Sequence, residues 1–538
     1  MILLALSLPL LLALACLLGQ QHRLRWLLPA ASLPMIGLAV LPESRLELDW
    51  LLFGLEVGGD AVSRPFLLLL GIAWSLAGWH ALDYIRERQR SFCLFWLLTL
   101  SGISLAFLAQ DAAGFYCGYA VMGLAAYGLI LHDRSAAARR AGRVYLMLAL
   151  LGEVLILAGL FQLGARFGNF PLAELGTLLG EPVGFQLAGW CLLAGFAVKM
   201  GTLPLHIWLP LAHPVAPAPA SAILSGVIVK AGLLGWLRFL PPDMYGVSPP
   251  VLAMVMLGLT AAFYAALMGL TRSEPKAILA WSTVSQLGLM LVLFAAASVG
   301  DVERALLLPI IGIWVLHHGL NKAALFIATA CAPTLTRWRL LLLAVPALSI
   351  AGLPLSTGGL AKTLAKEGLT LAALPGWAVT VFGLSSLTTA WLLWHLFDRL
   401  RQRPGDARVH PAWLLLTLFA MVVPWLWATH VGLASWPTLP QSWDGIWPLL
   451  FASAIALSWQ RRGWQLPDWA GMQAIRRERF VKLESARPLS LPQISILRQY
   501  EAGRALLRLE RQLSLVPVVG LGLLALLLGL GLILIIGM

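Results

Sequence analysis

Apolar residues run along this chain in blocks of roughly twenty, separated by short polar stretches, nearly from one end to the other. A helix of that length crosses the hydrocarbon core of a bilayer, so each block predicts a membrane span. Period-two alternation, the mark of membrane-spanning strands, does not occur. The pattern predicts about sixteen spans, at 2–20, 25–41, 65–84, 91–109, 113–132, 142–163, 184–210, 219–240, 250–271, 276–298, 304–331, 338–372, 374–397, 411–431, 444–460 and 513–537. Two of them are expected to be broken. In span 7, Pro204 and Pro210 interrupt KMGTLPLHIWLP, and span 12 is too long for one plain helix and contains AGLPLSTGG. The expected fold class is therefore an all-α polytopic membrane protein. The first block, MILLALSLPLLLALACLLGQ, lacks a basic leading segment and is expected to remain as an uncleaved helix.

The loops differ in charge. Those after odd-numbered spans carry arginines, such as Arg86, Arg88 and Arg90, or Arg134, Arg139 and Arg140. Those after even-numbered spans are poor in arginine and often acidic, as with Glu43, Glu47, Asp49, Glu56 and Asp60. By the positive-inside rule the basic loops are cytoplasmic and both termini lie on the outer side, as expected of a multi-pass protein of a bacterial inner membrane. The net charge of +13 then reflects topology and contact with anionic lipid, not a nucleic-acid surface. The expected organisation is N-terminal helices with an outer loop (1–64), a core (65–400), additional spans (401–460), a basic cytoplasmic segment (461–512) and a last span (513–538). The end of the basic segment, ILRQYEAGRALLRLERQL, has leucines at helical spacing. It predicts an amphipathic helix that lies on the membrane or docks a soluble partner.

Little in the chain suggests bound chemistry. The five cysteines stand singly in apolar runs, at 16, 93, 117, 191 and 331, with no CxxC pair for iron–sulfur or zinc. No phosphate-binding glycine loop appears. No cofactor, no metal and no ATP hydrolysis are expected, nor any catalytic chemistry of the chain's own.

The lysines are unusual. Only seven of the 38 Lys and Arg residues are lysine, and Lys199, Lys230, Lys322 and Lys362 fall inside apolar spans. Arginine keeps its proton, whereas a desolvated lysine can release one, so this division of labour suits a proton-handling protein. Ionisable residues within spans mark ion pathways. Glu153, in YLMLALLGEVLILAGL, is the clearest carboxylate within a span. His317 and His318 precede Lys322 in WVLHHGLNKAALF, and His318 shares a helix face with it. His206 and His213 flank the breaks after Lys199, and His395 and Asp398 stand three apart. The third ligand of a closed metal site is missing near the histidine pair. Broken helices expose backbone groups that hold water where an intact helix does not. Spans 4–8 and 9–13 form two five-helix sets, each with its broken helix fourth, the pattern of repeated transporter halves.

Four stretches, in this order, carry a resemblance: KMGTLPLHIWLPLAHPVAPAPASAILSGVIVKAG, SEPKAILAWSTVSQLGLM, HHGLNKAALF and AGLPLSTGGLAKTLAKEG. Together they resemble the antiporter-like membrane subunits of respiratory complex I, of formate hydrogenlyase-type membrane hydrogenases and of multi-subunit cation/proton antiporters, over roughly residues 65–400. The resemblance implies two inverted five-helix repeats that translocate protons, broken at spans 7 and 12. It implies Lys199 as the central lysine of the first half-channel and Lys230 as the connecting lysine. Lys322 with His318 would form the central axis, and Lys362 the end of the second half-channel. One departure stands out. The family usually has a span 5 glutamate in a context like GWEGVGLCSY, where this chain reads GYAVMGLAAY with Ala120 at that place. Glu153 is expected to pair with Lys199 instead.

These observations point to a proton-translocating subunit of a larger energy-coupling membrane complex, with Lys199, Glu153, Lys230, His318, Lys322, Lys362, His317 and His206 on the path. The alternatives are a sodium/proton antiporter module, a proton-flux subunit energising a partner such as an inorganic-carbon uptake system, and a non-transporting membrane scaffold. A redox-driven proton-translocating oxidoreductase is one setting for such a subunit. The partners implied are the other subunits and the lipid bilayer.

Overall fold

The computed structural model describes residues 1–462 apart from 20–24, 53, 169–171, 173–174, 176–185, 241–247, 332–336 and 403–408. The amphipathic helix expected near the end of 461–512 and the last span at 513–537 lie outside the described residues. What is described is helical, apart from one short hairpin. The helices are α1 (Ile2–Leu17), α2 (Leu33–Val40), α3 (Arg64–Tyr84), α4 (Gln89–Leu108), α5 (Ala112–Ile130) and α6 (Ala136–Phe167). There follow α7 (Gln186–Met200), α8 (Trp208–Val215), α9 (Ala218–Ile223), α10 (Lys230–Phe239), α11 (Pro249–Leu270) and α12 (Pro275–Ala297). The last are α13 (Asp301–Cys331), α14 (Arg337–Ala351), α15 (Thr357–Leu371), α16 (Gly376–Arg401), α17 (Pro411–His430) and α18 (Leu439–Arg461).

Among the described residues eleven helical segments are long and apolar enough to cross a membrane. They correspond to expected spans 3–11, 13 and 14. The stretch 25–41, expected as one span, is instead two 3-10 turns (Arg25–Leu27, Ala30–Ser32) followed by α2. Pro29 and Pro34 explain this, because a proline ring removes a backbone donor and blocks the preceding turn. The acidic outer loop contains a two-stranded antiparallel hairpin, β1 (Arg45–Leu48) with β2 (Leu55–Gly58), in which Leu46 faces Val57. Asp111 fixes the hairpin to the α4–α5 turn. Its carboxylate accepts from Gly114 N at 2.7 Å, capping α5, and from Glu56 N at 3.0 Å.

The membrane helices approach closely through facing glycines. A Cβ on Gly152 would lie 3.0 Å from the Gly195 carbonyl oxygen, and one on Gly195 2.8 Å from that of Gly152, which sets α6 against α7. Gly258 and Gly288 do the same for α11 and α12, and Gly226 and Gly319 for the segment before α10 and α13. Where lipid tails leave little hydrophobic drive between helices, such close van der Waals contact holds a bundle together. The apolar windows of 218–239, α12 and α13 are wholly buried within the protein, whereas those of α16 and α17 are half exposed. The centre of the bundle therefore holds the segments that carry Lys230, His317, His318 and Lys322.

Both expected breaks occur. α7 ends at Gly201, whose φ is +65°, and α14 ends at Gly352, whose φ is +94°. In each, the residue after the glycine donates five residues back: Thr202 N to Ala197 O at 3.2 Å, and Leu353 N to Leu348 O at 3.0 Å. This left-handed glycine cap ends a helix without strain and is unfavourable for other residues. A third irregularity was not expected: Leu224–Ile228 is a π-turn between α9 and α10.

Candidate functional site: a line of buried basic side chains

Lys199 lies in the last turn of α7, 3% exposed. Its ammonium sits 5.2 Å from the Tyr119 ring and 5.4 Å from the Tyr145 ring, an aromatic surround that favours a cation. Lys199 Nζ donates to Tyr145 Oη at 3.4 Å, and that hydroxyl donates to the Gly123 carbonyl at 2.8 Å. Glu153 follows Tyr145 on α6 after two turns, is 6% exposed and interacts electrostatically with Lys199. Among the described residues its Oε1 has no hydrogen-bond partner. Both charged ends converge where Gly123 has no side chain: a Cβ there would lie 2.5 Å from Glu153 Oε1 and 3.0 Å from Lys199 Nζ. Ala120, one turn earlier on α5, is partly exposed. A cavity of about 10 Å³, lined by Tyr119, Tyr145, Lys199 and Trp208 among others, adjoins the cluster. That is about the space of a single water molecule.

The break after α7 exposes the Val198 carbonyl, which accepts from Trp208 Nε1 at 2.8 Å. His206 is buried between the rings of Tyr264 and Trp281, with centroids at 5.8 and 5.3 Å. His213 is buried against Phe326 at 4.7 Å. Among the described residues the ring nitrogens of His213 have no hydrogen-bond partner, and His206 interacts with the Pro204 backbone. Buried polar atoms are almost always satisfied by protein or water, so such nitrogens are places for water or a mobile proton.

The π-turn positions Lys230. Its Nζ donates to the Ser225 carbonyl at 2.6 Å, a backbone oxygen within the π-turn. π-turns commonly mark functional sites. Ser225 Oγ meets Thr283 Oγ1 of α12 at 2.7 Å. Thr283 Oγ1 also donates to the Leu279 carbonyl at 2.9 Å, the oxygen that accepts from Lys322 Nζ at 3.1 Å. Lys230 and Lys322, both fully buried, are thus held on either side of one turn of α12. His318 is fully buried, both its ring nitrogens lack a hydrogen-bond partner among the described residues, and it feels the charges of both lysines.

His317, the adjacent residue, faces elsewhere. Its Nδ1 lies 3.2 Å from Thr357 Oγ1 and 3.2 Å from Asn321 Nδ2, and Ser349 Oγ lies 2.9 Å from Thr357 Oγ1. These residues sit at the second break, between α14 and α15. Lys362, on α15, donates to the Ala351 carbonyl at 3.0 Å and to Ser386 Oγ at 2.6 Å. It therefore caps the helix end that the break exposes.

One pair singled out in the sequence, His395 and Asp398, lies apart from this line. His395 Nε2 contacts the Arg272 carbonyl at 2.7 Å, and Asp398 accepts from Gln402 at 3.0 Å. Lys366 is partly exposed and pairs with Asp444 at 2.7 Å. Among the described residues no His, Cys, Asp and Glu cluster of three or more suits a metal. The sequence reading did not single out Tyr119, Tyr145, Ser225, Thr283, Thr357 or Ser386. One signal was present: the polar run Ser282, Thr283, Ser285 and Gln286 inside an otherwise apolar span.

Residues 109–389, which contain all four buried lysines, match the family model for the membrane subunits of NADH:quinone oxidoreductase and Mrp antiporters. The chain belongs to that family. Among curated relatives it is 29% identical to hydrogenase-4 component B of Escherichia coli over 281 residues, 50% of this chain and 42% of that protein. It is 31% identical to an NAD(P)H-quinone oxidoreductase chain 4 of Picosynechococcus over 279 residues, 50% of this chain and 49% of that one. The match thus spans about half the length of such relatives or less. The same fold occurs in the Mrp complex of Dietzia, with TM-score 0.68, 19% identity and coverage of 85% of this chain and 99% of that one. It occurs also in an archaeal membrane-bound sulfane sulfur reductase, with TM-score 0.70, 20% identity and coverage of 78% and 74%. This family member is therefore an antiporter-like membrane subunit, of a kind found in multi-subunit membrane complexes.

Proposed function

We propose that this subunit conducts protons across the membrane for a larger energy-coupling complex. Lys199 with Glu153 forms the first half-channel, Lys230 connects it to the centre, and Lys322 with His318 forms the central axis. Lys362, joined through His317, ends the second half-channel, and His206 bridges the first break. One observation carries this reading. Four lysines are at most 7% exposed, are held by carbonyls and hydroxyls, and are interleaved with buried histidines, of which His213 and His318 have no hydrogen-bond partner among the described residues. Burying an unpaired charge costs several kcal/mol, which a mere anchor has no reason to bear. Of the described acids only Asp111 and Glu153 are buried, and Asp111 is a helix cap. Hard cations take several oxygen ligands, so a proton suits this interior better than sodium.

The finer organisation belongs to the same proposal. About sixteen spans cross a bacterial inner membrane, spans 4–8 and 9–13 are inverted repeats, and the termini face the outer side. The matching glycine caps at Gly201 and Gly352 support the repeat. A soluble partner docks at 461–512. The test is proton flux in proteoliposomes holding the chain with whatever subunits co-purify. An imposed potential should drive a pH change that Lys322→Ala and Lys230→Ala abolish while assembly persists. Full flux in Lys322→Ala, or sodium movement without protons, would overturn the proposal.

A further inference from the structure

We infer that Gly123 is a positioning residue for the Glu153–Lys199 pair, and that it acts through the side chain it lacks. The inference rests on the proposed pairing and deepens it.

Four close-approach glycines that join helices set the contrast. At Gly152, Gly195, Gly258 and Gly288, the nearest or second-nearest atom to an added Cβ is a carbonyl oxygen of the facing helix. Those glycines let backbones touch. At Gly123 the three nearest atoms are Glu153 Oε1 at 2.5 Å, Lys199 Nζ at 3.0 Å and Glu153 Cδ at 3.8 Å. No backbone atom is among them. Nor does the backbone itself call for glycine, because Gly123 lies inside α5 and is not among the positive-φ glycines. Alanine in its place would favour the helix, since glycine costs roughly 1 kcal/mol there. What the missing Cβ supplies is room for two side chains from two other helices.

The arrangement around that room is specific. Tyr145 accepts from Lys199 and donates to the Gly123 carbonyl, so the amine is anchored to the same residue whose side chain is absent. The acid arrives from α6, the helix that also carries Tyr145. Any Cβ at 123 pushes the carboxylate, the amine or both away from the meeting point. Both ends are flexible, so the protein accommodates the methyl group by displacing the pair and not by shifting helices. The ionisable groups around the gap are Tyr116 and Tyr119 of α5, Tyr145 and Glu153 of α6, and Lys199 of α7.

The experiment measures proton flux against pH in proteoliposomes of the full chain with its co-purifying subunits. Gly123→Ala should lower flux on the order of tenfold and displace the pH profile in the same direction as Glu153→Gln. Combining Gly123→Ala with Glu153→Asp, which withdraws the carboxylate, should recover flux relative to Gly123→Ala alone, a non-additive result. Wild-type flux and pH profile in Gly123→Ala, with Glu153→Gln impaired, would overturn the inference and leave the pairing intact. Wild-type behaviour in both would remove the pairing itself. If Gly123→Ala fails to assemble, Glu153→Ala provides the background that decides. There the methyl group has space, so Gly123→Ala/Glu153→Ala should assemble. Failure to assemble in that background would make Gly123 an ordinary packing glycine.

Discussion

Ser225 Oγ and Thr283 Oγ1 lie 2.7 Å apart, and this contact ties the turn that anchors Lys230 to the turn that anchors Lys322. Thr283→Val removes the hydroxyl at nearly constant volume. Interhelical hydrogen bonds in membranes are worth roughly 0.6 to 2 kcal/mol, so the variant should fold with a small loss of thermal stability. Proton flux should fall by more than that loss explains, and Thr283→Ser should restore it. The measurement is flux in proteoliposomes alongside the melting temperature of the same preparations.

Glu153→Gln keeps the shape of the side chain and removes its charge. Glu153 is the carboxylate that acts on Lys199 among the described residues, so flux should drop and its pH dependence should shift. Glu153→Asp should behave as an intermediate. An unchanged pH profile in Glu153→Gln beside an inactive Lys199→Ala would separate the two residues.

Asp60 and Arg238 pair with two hydrogen bonds, at 3.0 and 3.1 Å, with the Arg238 side chain 4% exposed. Burial works against the Asp60 carboxylate, but Arg238 and Ser63 outweigh it and hold its pKa below the ordinary 3.8. A depressed carboxylate pKa stabilises fully above the unfolded value. That stabilisation fades as pH falls below 3.8 and is gone below the folded value. Asp60→Asn should therefore lower the melting temperature most at neutral pH, and the gap to wild type should close in acid. The cost at neutral pH is about 3–5 kcal/mol, because a buried guanidinium loses its partner.

Gly201 and Gly352 sit in the left-handed region at the two helix breaks. Alanine at either place costs about 1–3 kcal/mol in backbone strain. At Gly352 the new Cβ also meets Lys362 Cδ at 2.6 Å, whereas at Gly201 it meets Leu209. Thermal unfolding should register both variants. Gly352→Ala should in addition reduce flux through displaced Lys362, and Ser386→Ala, which removes the hydroxyl that Lys362 holds, should do so without the strain.

The sequence by itself determined the membrane class, most of the spans, both breaks and the four intramembrane lysines. These follow from local physics: an apolar block of spanning length has one low-energy form, and prolines and glycines end helices wherever they stand. Where prolines fall close together, as at Pro29 and Pro34, the expected single helix at 25–41 becomes two 3-10 turns and a short helix. Only the tertiary structure decided which polar groups meet. His317 and His318 are neighbours in the chain, yet a helix turns ~100° per residue, and they point to Thr357 and to the two central lysines respectively. Thr283 and Ser225 stand far apart in sequence, and they meet only because the fold sets the π-turn against α12. The missing span 5 acid predicts that Glu153 serves Lys199, and the structure brings Glu153 Oε1 and Lys199 Nζ to one gap at Gly123. The room that admits both, at Gly123, is a property of three helices together, and no one-dimensional pattern encodes an absent side chain's neighbours.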